Sequence, residues 1–303
     1  MDSKSSLFFI ALGASLWGII GIFVNQLYEI GFTPIQVVAI RVTTAFFFLV
    51  IYVLSKNRHL FKIKLTDSWY FVGTVIISIV LFNFCLFSAM EEASISIAFI
   101  LLYTAPAFVT VFSWLFFKEA LTGRKISALV ITLIGCSFVI GVLPNVSASI
   151  SLYGFILGLG SGLFYALYSI FGKAALQHYD SLTVTLYTFL FASVAILPFS
   201  GLAANGHLFS SVSVWGFIIG LGFFSTMLPF ILYTKGLQYV ESSRASIIAT
   251  IEPVVASLVG FLVFNETLTI WQYAGMILVL SSVILVQESK NKYEQQLLEE
   301  VKA

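Results

Sequence analysis

Apolar residues run along this chain in unbroken stretches of about twenty, separated by short polar connections. Runs such as "AFFFLVIYVL" (residues 45–54) are continuous, whereas a membrane β-barrel would alternate apolar and polar positions over segments of ~10 residues. A helix needs ~20 apolar residues to cross a bilayer core. Ten segments of about that length can be read, at roughly residues 7–28, 34–54, 69–90, 94–117, 124–143, 153–176, 181–201, 213–236, 243–264 and 270–287. The pattern therefore predicts an all-α integral membrane protein with ten transmembrane helices and a short polar tail.

Composition narrows the class further. Of 303 residues, 59% are hydrophobic and only 10% charged, and the mean hydropathy is +1.03. That is more apolar surface than a soluble domain of this size can bury. The distribution of Lys and Arg gives the orientation, because cytoplasmic connections retain positive charge. With the amino terminus inside, the inner segments receive Lys4, Lys56, Arg58, Lys62, Lys64, Lys118, Arg124, Lys125, Lys173, Lys235, Arg244, Lys290, Lys292 and Lys302, and the outer loops none. Both termini are expected in the cytoplasm, with the chain a multi-pass protein of the cell membrane. The first span lacks a small-residue cleavage site and is read as a retained helix.

A shift of 147 positions lays "LFFKEALT" (115–122) on "LVFNETLT" (262–269), Pro106 on Pro253, and "LGASL" (12–16) on "LGSGL" (159–163). The chain is an internal duplication: a first five-helix repeat over 1–145, a second over 146–287 and a cytoplasmic tail over 288–303. Five is an odd number, so the two repeats are expected to cross the membrane in opposite directions. The basic Lys118, Arg124 and Lys125 of the first copy correspond to Asn265, Trp271 and Gln272 of the second, as inversion requires. Inverted repeats of this kind suit carriers, whose half-bundles rock about a site near the midplane.

The opening "GASLWG", Arg41 in the second span, the repeat ends "FKEALT" and "FNETLT", and "EP" in the ninth span together resemble the drug/metabolite transporter superfamily, in particular the EamA-type transporters. The resemblance covers about residues 7–287. It implies ten helices, a central cavity and the movement of small metabolites, amino acids or drugs across a cytoplasmic membrane. The first copy departs from the pattern at one point, where Ala105 stands opposite Glu252.

Glu252 in "ATIEPVVASLVG" (249–260) is the acid deepest in an apolar run. A lone carboxylate there costs at least ~2.5 kcal/mol, so it should face the bundle interior and have a partner. Arg41, at a similar depth, is either its structural partner or, with it, part of a solute or proton path. Ala245, Ala249, Glu252, Ala256 and Gly260 fall at spacings of three and four, which predicts one small-residue face around the acid. Pro106 and Pro253 remove a helical hydrogen bond at matched depths and should free the carbonyls of Leu102 and Ala249; the matched pair points to a kink or hinge. Trp17, Asn83, Tyr103, Tyr165, Tyr168 and Tyr233 are further candidates for the path, Asn83 as an amide inside a span and the aromatics as walls that could cage an amine. Glu119 and Glu266, at the repeat ends, read as caps for the next helix or as partners of free amides.

No enzyme is expected. Cys85 and Cys136 lie in spans without metal-ligand spacing, the histidines are scattered over loops, and no phosphate loop, HExxH or nucleophile elbow is present. No cofactor, metal or nucleic-acid partner is expected, and the residues carry no signal of oligomeric state. The expected function is a secondary transporter, an exporter of amino acids or related small metabolites working by alternating access, with the proton as a candidate coupling ion. The alternatives are a carrier of organic cations, amines or drugs, and a non-transporting membrane scaffold of the same fold.

Overall fold

The computed structural model describes residues 3–56, 58–92, 95–144 and 151–287, so the tail expected over 288–303 lies outside the described residues. Within them the chain is helical, with no strand. In chain order the helical segments are α1 Lys4–Ile30, α2 Pro34–Lys56, α3 Leu65–Glu92, α4 Ile95–Phe117 and α5 Gly123–Val139. The second half follows with α6 Leu152–Ala175, α7 Ser181–Phe199, α8 Val212–Tyr239, α9 Ser242–Val263 and α10 Ile270–Gln287. Among the described residues nine of these are long and apolar enough to cross a membrane. The tenth, α5, has 17 residues, or ~25 Å, somewhat short of a ~30 Å core. It stops before the expected end because Gly141 takes a left-handed φ of 80°, and its N–H turns back to the Phe138 carbonyl.

The other boundaries follow from local chemistry. Thr122, Ser151 and Asp180 accept from the backbone N–H of Lys125, Gly154 and Leu182 and so start α5, α6 and α7. Gly31, at φ 108°, closes α1 with its N–H on the carbonyls of Leu27 and Tyr28.

The two halves interlock. α1 packs on α8 and α9 of the second half, α6 on α3 and α4 of the first, α2 on α7 and α8, and α5 on α10. Small residues permit these approaches. A Cβ on Gly18 would stand 2.6 Å from Val255 Cβ and 2.8 Å from the Glu252 carbonyl oxygen, and one on Gly13 would stand 2.9 Å from the Pro229 carbonyl oxygen. Gly162 of α6 faces Thr104 and the Leu101 carbonyl in the same way. Gly135 of α5 and Gly275 of α10 face one another, and Thr132 Oγ1 and Ser282 Oγ share a hydrogen bond of 2.7 Å beside them.

The 147-residue shift is visible in conformation as well as sequence. Lys118 and Asn265, matched by it, are the two described non-glycine residues with positive φ, at 56° and 55°. Both α4 and α9 are broken, into Ile95–Leu102 and Ala105–Phe117 and into Ser242–Ala249 and Ile251–Val263. Each proline sits just past its break. The threonine hydroxyls at the breaks bond backward, Thr104 Oγ1 to the Leu101 carbonyl at 2.6 Å and Thr250 Oγ1 to the Ile247 carbonyl at 2.6 Å. The same carbonyls also accept from the Thr104 and Thr250 N–H groups, so a short turn closes each first segment ahead of its proline. α3 and α8 carry wider π-helical turns at overlapping matched positions, Gly73–Val80 and Phe223–Met227.

The structure corrects the expected small-residue face at one position. Ala245, Ala249 and Gly260 are buried, but Ala256 is exposed, while Pro253 and Val254 are buried beside that face. The connections carrying the basic residues meet at one end of the bundle, here termed the basic end. There Lys64 N–H donates to Tyr179, Tyr179 donates to Asp67, Tyr187 Oη donates to the Phe61 carbonyl at 2.6 Å, and Lys125 pairs with Glu241 at 3.1 Å.

Candidate functional site

A cavity of about 180 Å³ opens inside the bundle. Its wall takes residues from α1 to α4 and α6 to α9 and none from α5 or α10. On the first-half side it reaches Val38, Leu86 and Phe99, near the end remote from the basic loops; on the other it ends at Ser246. Of the candidates, Glu252, Arg41, Asn83, Trp17, Tyr103, Tyr165, Tyr168, Tyr233 and Pro106 all line it. Pro253 does not: it is buried behind the wall.

Helix breaks and glycines place these groups. Glu252 stands two residues beyond the Thr250 break, and Gly18 of α1 packs on its carbonyl, so its side chain is held at the cavity edge. Arg41 projects from α2 opposite. Lys125 pairs with Glu119 and Glu241, whereas Arg41 and Glu252, both among the described residues, form no direct ion pair with each other. Arg41 and Glu252 are therefore not the directly bonded pair that one reading of the sequence allowed. They act on one another through space, and Tyr165 acts on both. The buried Arg41 Nε and Trp17 Nε1 donors have no hydrogen-bond partner among the described residues. An unmet buried donor costs ~1–3 kcal/mol, which an acceptor brought by a ligand would recover.

Much of the cavity wall is aromatic. Phe230 is ringed by Trp17 at 5.1 Å, Tyr168 at 5.2 Å and Phe189 at 5.0 Å between centroids, each edge-on. Tyr168 Oη and Thr234 Oγ1 share a hydrogen bond of 3.0 Å, and Ser169 Oγ and Tyr233 Oη one of 2.7 Å, which fixes both rings. Asn83 Nδ2 donates to the Ile79 carbonyl at 2.7 Å, so its amide is partly committed to its own helix while its edge faces the space.

Several lining residues were not singled out from the sequence, among them Phe189, Phe230, Ser246 and Thr250. Their types are common, but the repeat carried a usable signal. The 147-residue shift pairs lining residues with lining residues: Val42 with Phe189, Asn83 with Phe230, Leu86 with Tyr233, Phe99 with Ser246, Leu102 with Ala249, Tyr103 with Thr250 and Ala105 with Glu252. Applied to Asn83, Tyr103 and Tyr233, it leads directly to Phe230, Thr250 and Leu86. The cavity thus straddles the two copies, but its charges are not duplicated: Glu252 matches Ala105 and Arg41 matches Thr188.

A model of the EamA-like transporter family matches residues 4–141 and again 152–287. An uncharacterised transporter of Archaeoglobus fulgidus is 33% identical over 198 residues, 65% of this chain and 69% of that one. A second transporter from the same organism is 28% identical over 91% of this chain and 96% of its own length. The inner membrane transporter YicL of Salmonella typhimurium, also uncharacterised, is 23% identical over 94% and 96%. A crystal structure 14% identical superposes with a TM-score of 0.78 over 97% of this chain and 100% of the other, a likeness of fold.

Proposed function

Because this chain belongs to the EamA-like transporter family, and is a multi-pass membrane transporter, we propose that it is a secondary carrier of zwitterionic small metabolites, amino acids foremost, moved outward by alternating access. The observation that carries the solute class is the cavity's pair of opposite charges held apart, Arg41 on α2 and Glu252 on α9, among aromatic walls. A solute carboxylate would meet the Arg41 guanidinium in a charge-assisted bond, and its ammonium would meet Glu252 with aromatic faces beside it. Desolvating either charge alone is costly, so a solute that supplies both partners has the advantage.

Alternating access is supported by the matched breaks in α4 and α9 and by a cavity built from matched positions of both repeats, on the reading that the repeats are inverted. On its Lys and Arg content the basic end is taken as cytoplasmic; on that reading both termini are inside and the cavity's longer reach is outside. The membrane is taken as the cytoplasmic one, in line with the printed name of the Salmonella relative. With no resident cofactor assigned, a solute or proton gradient supplies the work, and Glu252 is the group placed to exchange the proton.

The test is counterflow in proteoliposomes with matched solutes: a neutral amino acid, its amide lacking the carboxylate, and its deaminated acid. Counterflow should be strong for the zwitterion and at least tenfold weaker for both truncated analogues. Equal counterflow with the amide would move the solute class to amines; no flux with any member would remove the carrier reading.

A further inference from the structure

Glu119 lies two residues beyond the end of α4, only 9% exposed, and takes no part in the cavity. Rather than capping the next helix, it reaches into the other half of the molecule. Its Oε1 accepts from Ser242 N–H at 2.6 Å, and Oε2 accepts from Ser243 N–H at 3.2 Å and from Ser243 Oγ. One buried carboxylate thus satisfies the first turn of α9, with the favourable end of the helix dipole added. Lys125 Nζ stands 4.0 Å from it and 3.1 Å from Glu241, on the loop that leads into α9.

Two other long cations of this end reach carbonyls at or just past helix C-termini. Lys173 donates to the carbonyls of Leu237 and Val240, and Arg244 to those of Val286 and Gln287. The Glu119 contact differs in what it joins. α4 and α9 are the spans broken at matched positions, both line the cavity, and Ser246, one turn beyond Ser242, is where the cavity stops short of the basic end. A solute leaving by that end has to pass where α4 and α9 are clamped.

We propose that Glu119 is the gating residue of the basic end: its grip on the first turn of α9 seals the cavity from that face and is released when the path opens there. The proposal rests on the alternating-access reading, and its test needs no transported solute, so the two can fail separately.

In full-length protein with Cys85 and Cys136 replaced by Ser, Ser246→Cys serves as the reporter and the exposed His178→Cys marks the basic-end face. Labelling by a membrane-impermeant maleimide is followed in vesicles of either orientation. Glu119→Ala should raise the labelling rate of Ser246→Cys from the basic-end face by tenfold or more, Glu119→Gln by less, and leave His178→Cys unchanged. Equal rates in Glu119→Ala and its parent, at an unchanged unfolding midpoint, would show a staple and not a gate. Should Glu119→Ala not be recovered folded, Ser243→Ala, which removes one of the three donors, decides: a severalfold rise supports the gate and no rise overturns it.

Discussion

Arg41 and Glu252 are polar groups kept apart inside an apolar bundle, an arrangement of little use for stability alone. A buried charge without a direct partner is costly, and an apolar residue of similar shape in its place removes that cost. Arg41→Met is therefore expected to leave the unfolding midpoint unchanged or higher while abolishing flux. Glu252→Gln should weaken solute affinity by about ten- to a hundredfold, the worth of one charge-assisted bond, in a protein that still folds. Thermal unfolding and solute affinity measured on the same preparations check both; loss of folded protein in both variants would make the pair structural. These two residues could be read from the sequence because charge inside an apolar run is costly enough to need a reason. Ser246 and Thr250 could not, since hydroxyls in helices commonly bond their own turn, as these do to the carbonyls of Ser243 and Ile247.

Helix by helix, spacing located the elements well and their faces less well. Nine expected segments match long apolar helices and the tenth matches the shorter α5, because continuous apolar length is what a bilayer demands. The expected small-residue face holds at Ala245, Ala249 and Gly260 and fails at Ala256, which is exposed, because spacing says which residues share a stripe and not what covers each part of it. Glu119 reads from the sequence as a cap for the next helix or a partner of free amides; it is the second, and only the identity of the amides, those of Ser242 and Ser243 more than a hundred residues away, lay beyond local spacing. Two variants probe elements rather than groups. Pro253→Ala should change stability by no more than about 1 kcal/mol yet slow flux, because a backbone N–H regained near the break favours a continuous α9; unchanged flux would remove the hinge role. Gly18→Val drives a Cβ into Val255 and the Glu252 carbonyl. It should destabilise by about 1–3 kcal/mol, read as a lowered unfolding midpoint; an unchanged midpoint would mean that α1 and α9 can separate freely.

Across the whole molecule, the duplication could be read from the 147-residue shift, but the exchange of partners between halves could not, because periodicity says which residues repeat and not which copy they face. Neither half buries its own first helix. Residues 1–145 or 146–303 expressed alone should therefore fail to give monodisperse protein after detergent extraction, while co-expression of the two should restore it; a monodisperse single half would contradict the interlock. The same exchange sets a timetable for biosynthesis. α1 leaves the ribosome first, yet its seats at Pro229, Glu252 and Val255 are translated more than two hundred residues later, roughly 10–45 s at ordinary elongation rates. Through that interval the glycine-lined face of α1, with Trp17 on it, has only lipid or the insertion machinery for company. The newly made protein is therefore most open to misassembly and quality control before its last helices arrive.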